Sequence, residues 1–205
     1  MLNRRTPAVI LARVGRYEEV GNVRWWLRTV AVCAAVGLGV GLVVGGTLGW
    51  IFMRLVFLAK EDTLGLETSM GAIIGEFTSG GTVFIYVFGA IVGVALGVTY
   101  AVARSLLPSG TRTRTILFTL GTTAFMLGQI VRSNREDFSI LPVTLSLLFV
   151  IGSVALTAAP LPILVERLAP DRERRPGRLA HGVVALGMAG SGVFAVTGIA
   201  MAYAA

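Results

Sequence analysis

The chain has 205 residues, of which 55% are hydrophobic and only 14% are charged. Soluble domains carry roughly 25% charged residues, so this composition excludes an ordinary soluble domain and indicates a polytopic membrane protein. A net charge of +7 would favour nucleic-acid binding in a soluble protein, but here the basic residues lie between apolar stretches, where they set membrane orientation.

The N-terminal segment, residues 1–28, is basic and holds six arginines. Within it, Ile10, Val14 and Tyr17 fall on one face of a helix, with arginines beside that face. This pattern predicts a short helix that lies on the membrane surface, and a basic tail without regular structure is the alternative.

Five apolar segments follow, each long enough to cross the roughly 30 Å hydrocarbon core as a helix. The longest connection, 60–81, is acidic, and its Ser-Gly-Gly sequence predicts a turn in a small hairpin or an interfacial segment. Pro160 and Pro162 predict a kink or an end near the far side of the fourth span. The sequence therefore predicts an all-α integral membrane protein, a bundle of five transmembrane helices over about 29–58, 82–106, 115–131, 142–165 and 179–203.

The connections carry unequal charge. The N-terminal segment, the second-to-third connection and the fourth-to-fifth connection together hold 14 of the 18 basic residues. Because basic loops stay in the cytoplasm, we predict a cytoplasmic N-terminus and an outside C-terminus in the bacterial inner membrane.

Glycines recur at every fourth position in two of the spans. This spacing fails the glycine pattern of a dinucleotide-binding loop and matches repeated G-x-x-x-G units, which let two helix backbones approach closely in lipid. The fifth span offers Gly187, Ser191 and Ala195 at the same spacing. The stripes of the first two spans pack against each other within one chain, or they serve self-association or docking onto a partner. The predicted helix-packing residues are Gly37, Gly41, Gly45 and Gly49 in the first span and Gly89, Gly93 and Gly97 in the second.

Polar residues inside the predicted spans are few, and no span centre contains an ionisable residue. Since buried charges in membranes tend to mark function, this argues against a proton-relay transporter and an intramembrane protease. Gln129, Thr122 and Thr123 of the third span either form interhelical hydrogen bonds or line a small pore or ligand cleft.

The third-to-fourth connection concentrates charge at the predicted outer face. Arg132, Arg135, Glu136 and Asp137 either cap the following helix and pair locally, or contact a partner or a lipid headgroup. The chain has one histidine, His181, and one cysteine, and the sequence predicts no metal site, no cofactor and no catalytic residues.

Three motifs carry a resemblance to known proteins: "NREDF" at 134–138, "LSLLFV" at 145–150 and "PILVERLAP" at 162–170. They are similar to sequences in small, function-unassigned polytopic membrane proteins of high-GC Gram-positive bacteria. The resemblance covers mainly residues 132–170, implies a bacterial membrane location, and implies no activity.

These features predict a non-catalytic membrane protein, an accessory or assembly subunit of a membrane complex or a self-associating bundle. A small-solute transporter or channel is the alternative, and a sensor that uses the acidic outer loop is a further one. The expected partners are the bilayer, anionic lipid headgroups at the cytoplasmic face, and other membrane subunits or further copies of the chain, with no nucleic acid.

Overall fold

The structure, a computed structural model, describes residues 7–59, 78–140, 143–169 and 178–204. Its regular elements within these ranges are all helices. Five helical segments are long and apolar enough to cross a membrane, which confirms the predicted helical class and the number of apolar spans. Their bounds are Arg24–Leu55, Ser79–Ala103, Thr111–Ser133, Val143–Leu168 and Val184–Tyr203.

The first span is one rod built from three helical pieces. Helix α1 covers Pro7–Val40, a π-helical turn covers Gly41–Gly45, and α2 covers Gly46–Ala59. The helix that begins at Pro7 runs into the span without a break, so the predicted surface helix is here continuous with α1 and is not a separate element.

The second span, α3 (Ser79–Ala103), begins three residues earlier than the sequence predicted. Thr78 has an extended backbone, and its hydroxyl accepts a hydrogen bond from the Gly81 N–H at 3.0 Å. This N-cap starts the helix at the Ser-Gly-Gly sequence, so the prediction of a turn there was wrong. The rest of the predicted hairpin or interfacial segment, residues 60–77, lies outside the described residues.

The third span, α4 (Thr111–Ser133), follows a tight turn, and a one-turn helix, α5 (Arg135–Ile140), follows it. Gly110 has a φ of +124°, a backbone conformation that favours glycine, and α4 starts at the next residue. The span is therefore longer at both ends than the predicted 115–131.

The fourth span contains a break where the prolines predicted one. Helix α6 (Val143–Ala158) ends before Ala159, and α7 (Pro160–Leu168) begins directly after it. Proline has no N–H to continue the hydrogen-bond ladder and favours the first helical position. The segment runs to Leu168, past the predicted end at residue 165, and so includes Glu166.

The fifth span lies in α8 (Arg178–Tyr203), which packs mainly along α4. Glycine contacts run in opposite chain directions for α1 and α3, and in the same direction for α4 and α8. One core lies among the first four spans and includes Leu96, Leu161 and Val165, and a second core joins the last three. We call the end of the bundle that carries Arg104 and Arg114 the arginine-rich end.

Candidate functional site

A carboxylate with three hydrogen-bond donors lies at the arginine-rich end. Glu166 of α7 accepts from the Tyr100 hydroxyl at 2.9 Å and from the guanidinium groups of Arg104 at 3.0 Å and Arg114 at 2.8 Å. Both arginines are almost completely buried, with 2% and 5% of their surface exposed. We call these four residues the Glu166 cluster. It joins the second, third and fourth spans through charge-assisted hydrogen bonds, the strongest kind of hydrogen bond in proteins.

The local sequence brings each member to this point. Tyr100 and Arg104 are four residues apart at the end of α3, so both side chains lie on one helix face. Arg104 also donates to the Ala169 carbonyl at 2.6 Å, and Arg114 donates from Nε to the Pro108 carbonyl at 3.0 Å. The two arginines therefore also fix the end of α7 and the turn between α3 and α4.

Apolar side chains surround the Glu166 cluster on its inner side. The Tyr100 ring meets Phe118 edge to face, with ring centroids 5.0 Å apart. Leu161 and Val165 of α7 are fully buried in the same core. In such a low-dielectric setting each ionic hydrogen bond is stronger than in water, and an unmatched charge is costly. The arrangement is suited to holding three helix ends together.

Sequence reasoning missed the Glu166 cluster because the predicted fourth span ended at Val165, and Glu166 was then grouped with the charged linker that follows. A signal was present. Arginines occur at both ends of the short turn after the second span, with a tyrosine one helical turn before the first arginine. Glu166 directly follows the predicted end of the fourth span and supplies a matching acidic residue.

The glycine stripes of the first two spans meet each other within the chain. A Cβ atom at Gly93 would lie 2.6 Å from the Gly41 Cα, and one at Gly41 would lie 2.7 Å from the Gly93 Cα. Gly37 contacts the Gly93 carbonyl oxygen, and Gly89 and Gly97 meet the backbone of the first span in the same way. The sequence left two uses of these stripes open, packing within one chain and association with another chain. The structure contains the packing within one chain. We call this contact the glycine seam.

From the last residue of the π-helical turn onward, the glycines of the first span meet different partners. Gly45 keeps an ordinary distance, with its Cβ position 3.5 Å from the Gly89 Cα, whereas Gly46 lies directly against the Tyr86 ring. A Cβ atom at Gly49 would lie 2.7 Å from a side-chain atom, the Ile85 Cγ2. A π-helical turn places one extra residue in the helix, so the contact face moves by one position. A strict four-residue spacing does not predict this shift.

The fifth span packs through glycines that the sequence analysis did not select. A Cβ atom at Gly198 would lie 2.8 Å from the Gly128 Cα, and one at Gly121 would lie 2.9 Å from the Met188 Sδ. Gly121 and Gly128 are seven residues apart, a two-turn repeat of small residues that could have indicated this contact. The predicted stripe of the fifth span divides instead. Gly187 has no atom within 4 Å of its Cβ position, while Ala195 packs into the second core.

The polar candidates of the third span do not form one lining. Gln129 is exposed on the outside of the bundle, and Thr122 is half-buried. Thr123 is half-buried, and its hydroxyl oxygen has no hydrogen-bond partner among the described residues. Three other buried hydroxyl oxygens also have no hydrogen-bond partner among the described residues. All four lie on α4 or α6, two helices that pack together. They belong to Thr119, Thr123, Ser146 and Ser153.

The charged residues of the third-to-fourth connection lie at the opposite end of the bundle from the Glu166 cluster. Arg132, Arg135 and Glu136 are exposed there, around the start of α5, and the side chain of Asp137 lies outside the described residues. The side chain of His181 is likewise not described. Among the described residues, no group of three or more His, Cys, Asp or Glu side chains is arranged to hold a metal ion.

Comparisons with protein-family models, with curated proteins and with solved structures found no match to this chain.

Proposed function

We propose that this chain is a non-catalytic, multi-pass protein of the bacterial inner membrane, an accessory or assembly subunit that associates through the outward face of α8. The associating partner is another membrane subunit or a second copy of the chain. The observation that carries the proposal is the contrast between α8 and the four other spans.

Helix α8 has few neighbours among the described residues. Only 6% of the span window in α8 is buried, against 28% for each of the other four. Its main contact is α4, on one face. The opposite face carries large exposed side chains, including Leu186 at 77% and Val193 at 66% exposure. A helix that packs mainly along one neighbour, within the described residues, is the element of this bundle best placed to contact another chain.

Small residues on α8 support the same proposal. Gly182 and Gly190 share a helix face with Leu186 and Val193, and Gly187 and Gly192 lie to either side of it. None of the four has a described atom within 4 Å of its Cβ position. In the first two spans, by contrast, the stripe glycines contact a facing helix. Because small residues favour close helix packing in lipid, glycines without a contact among the described residues leave room for a helix from another chain.

The test is purification in mild detergent or nanodiscs, followed by native mass spectrometry. We expect a stoichiometric partner or a dimer, and we expect Val193→Phe to reduce the bound fraction. The matched control is Ile116→Phe on α4, at a position of similar exposure, 57%. A wild-type protein that runs as a lone monomer would contradict the proposal, and so would an equal loss in both variants.

Transport of a small polar solute is a second candidate. The observation that favours it is the set of four buried hydroxyls without a described partner on α4 and α6, since polar groups inside a membrane domain tend to line a path. Flux into proteoliposomes tests it. Thr123→Val would abolish flux, while Ser191→Ala, which removes a hydroxyl already bonded to the Gly187 carbonyl, would not.

A further inference from the structure

An apolar groove runs between the first and second spans on the outside of the bundle, next to the glycine seam. Its volume is about 290 Å³. Ala90 forms its floor and is 8% exposed, while Leu38 and Ile91 stand on its two sides and are 47% and 62% exposed. Close approach of the two backbones leaves this hollow between the larger side chains on either side. The lining residues are Leu38, Leu42, Val87, Ala90, Ile91 and Val94.

Between the groove and the arginine-rich end, exposed small and branched side chains continue its two sides, and we call them the alanine track. Ala31 and Ala35 are exposed on the first span, and Val98 and Val102 are exposed on the second. The alternating four- and three-residue spacing keeps the residues of the first span on one helix face. That face is made of Arg24, Arg28, Ala31, Ala35, Leu38 and Leu42.

Two arginines mark the end of this track. Arg24 and Arg28 are exposed, and neither pairs with an acidic side chain in the part of the chain that the structure describes. Trp26, on the opposite side of the same helical turn, is 49% exposed, as expected for an aromatic side chain at headgroup level. Leu38 is ten residues beyond Arg28, which is about 15 Å along a helix. This is half of the roughly 30 Å hydrocarbon core, the depth that an acyl chain of one leaflet reaches.

We propose that this surface binds one anionic phospholipid of the leaflet at the arginine-rich end. Its phosphate lies between Arg24 and Arg28, and one acyl chain follows the alanine track into the groove over Ala90. Positive charge at one end of the groove selects an anionic headgroup, and the distance from Arg28 to Leu38 matches the depth of one leaflet. The site does not depend on assembly through α8, because no residue of α8 belongs to it.

The experiment uses photoactivatable phosphatidylglycerol, with a diazirine near the end of one acyl chain, in nanodiscs that contain the full-length protein. Peptide mapping by mass spectrometry locates the labelled residues. We expect labelling at Leu38, Ile91 and Val94 well above that at exposed residues of α8, which report bulk lipid. A phosphatidylcholine probe with the same acyl chain should label the groove less.

Two sets of variants identify the headgroup contact and the groove. Arg24→Gln should weaken phosphatidylglycerol labelling of the groove about fivefold, and the double variant with Arg28→Gln roughly 25-fold, since each basic residue near an anionic lipid contributes about that factor. Ala90→Leu raises the floor and should reduce labelling by both probes. The control pair Arg112→Gln and Arg167→Gln removes equal charge from exposed positions at the same end and should change nothing.

Three results would overturn the proposal. Equal labelling of the groove and of α8 would mean that only bulk lipid is present. Equal labelling by the two probes would remove the role of headgroup charge. A loss in the control pair as large as in the Arg24 and Arg28 variants would mean that diffuse charge, and not this site, attracts the lipid.

Discussion

Glu166 is the residue at which three spans of this apolar protein are joined by ionic hydrogen bonds. Two guanidinium groups and one hydroxyl converge on its carboxylate, and both arginines are almost fully buried. Replacing a whole buried ion cluster by apolar groups is often neutral, but removing one partner leaves the others charged and buried. Single substitutions are therefore expected to lower the free energy of unfolding, by an amount that differs between the members of the cluster.

We expect Glu166→Gln to lower the free energy of unfolding by about 3–5 kcal/mol, because two buried arginines lose the negative charge of Glu166. Tyr100→Phe removes one hydrogen bond and should cost only about 1 kcal/mol. Denaturant titration in detergent micelles measures both. Glu136→Gln, at an exposed position, is the control and should have little effect. In an Arg114→Met background the cost of Glu166→Gln should shrink, and an unchanged cost there would contradict the coupling between the two residues.

At the scale of helices, the sequence predicted the features that arise from a long apolar run or from a repeated residue spacing. Apolar length predicts the five spans, and glycines at every fourth residue predict a close approach, which is found between Gly41 and Gly93. The contact between α4 and α8 was missed because it uses two-turn spacing, with Gly128 against Gly198. The Glu166 cluster was missed for another reason. The predicted fourth span ended before Glu166, and the partners of Glu166 come from two other spans, which no single stretch of sequence contains.

The glycine seam leads to a prediction with a control two residues away. Gly41→Ala adds a Cβ atom 2.7 Å from the Gly93 Cα, so the helices must separate, and overpacking of this kind costs about 1–3 kcal/mol. Gly41→Ile or Gly93→Ile should disrupt folding or assembly outright. Gly39→Ala adds its Cβ where nothing lies within 4 Å, and it should be neutral or stabilise the helix by up to about 1 kcal/mol.

Thermal unfolding in detergent compares the two alanine variants directly. Both variants change one glycine to alanine in the same span, Gly39 at the end of α1 and Gly41 at the start of the π-helical turn. The gain in helix propensity is therefore similar in each, and the difference in melting temperature reports mainly the seam. Equal melting temperatures for the Gly39 and Gly41 variants would mean that the close approach of α1 and α3 does not contribute to stability.

At the scale of the whole molecule, the charges of the connections and the directions of the helices support the same arrangement. Glycine contacts give antiparallel α1 and α3 and parallel α4 and α8, as expected when five spans alternate in direction. The two arginines of the Glu166 cluster and the exposed arginines 24, 28, 112 and 167 all belong to segments predicted to be cytoplasmic. Basic residues of this end thus have several roles: Arg104 and Arg114 join helix ends, Arg24 and Arg28 by our proposal bind an anionic lipid, and all of them are predicted to orient the bundle.

Orientation is testable with two serines at opposite ends of the bundle. Ser109 lies in the exposed turn before α4, and Ser133 is the exposed last residue of α4. The only native cysteine, Cys33, is fully buried and should give no background with a thiol reagent that does not cross membranes. We expect Ser133→Cys to react in intact cells and Ser109→Cys to react only after the membrane is opened, because the positive-inside rule keeps the arginine-rich end in the cytoplasm. The reverse pattern would invert the bundle and would move the proposed phospholipid to the outer leaflet, while reaction of both cysteines in intact cells would mean that α4 does not cross the membrane.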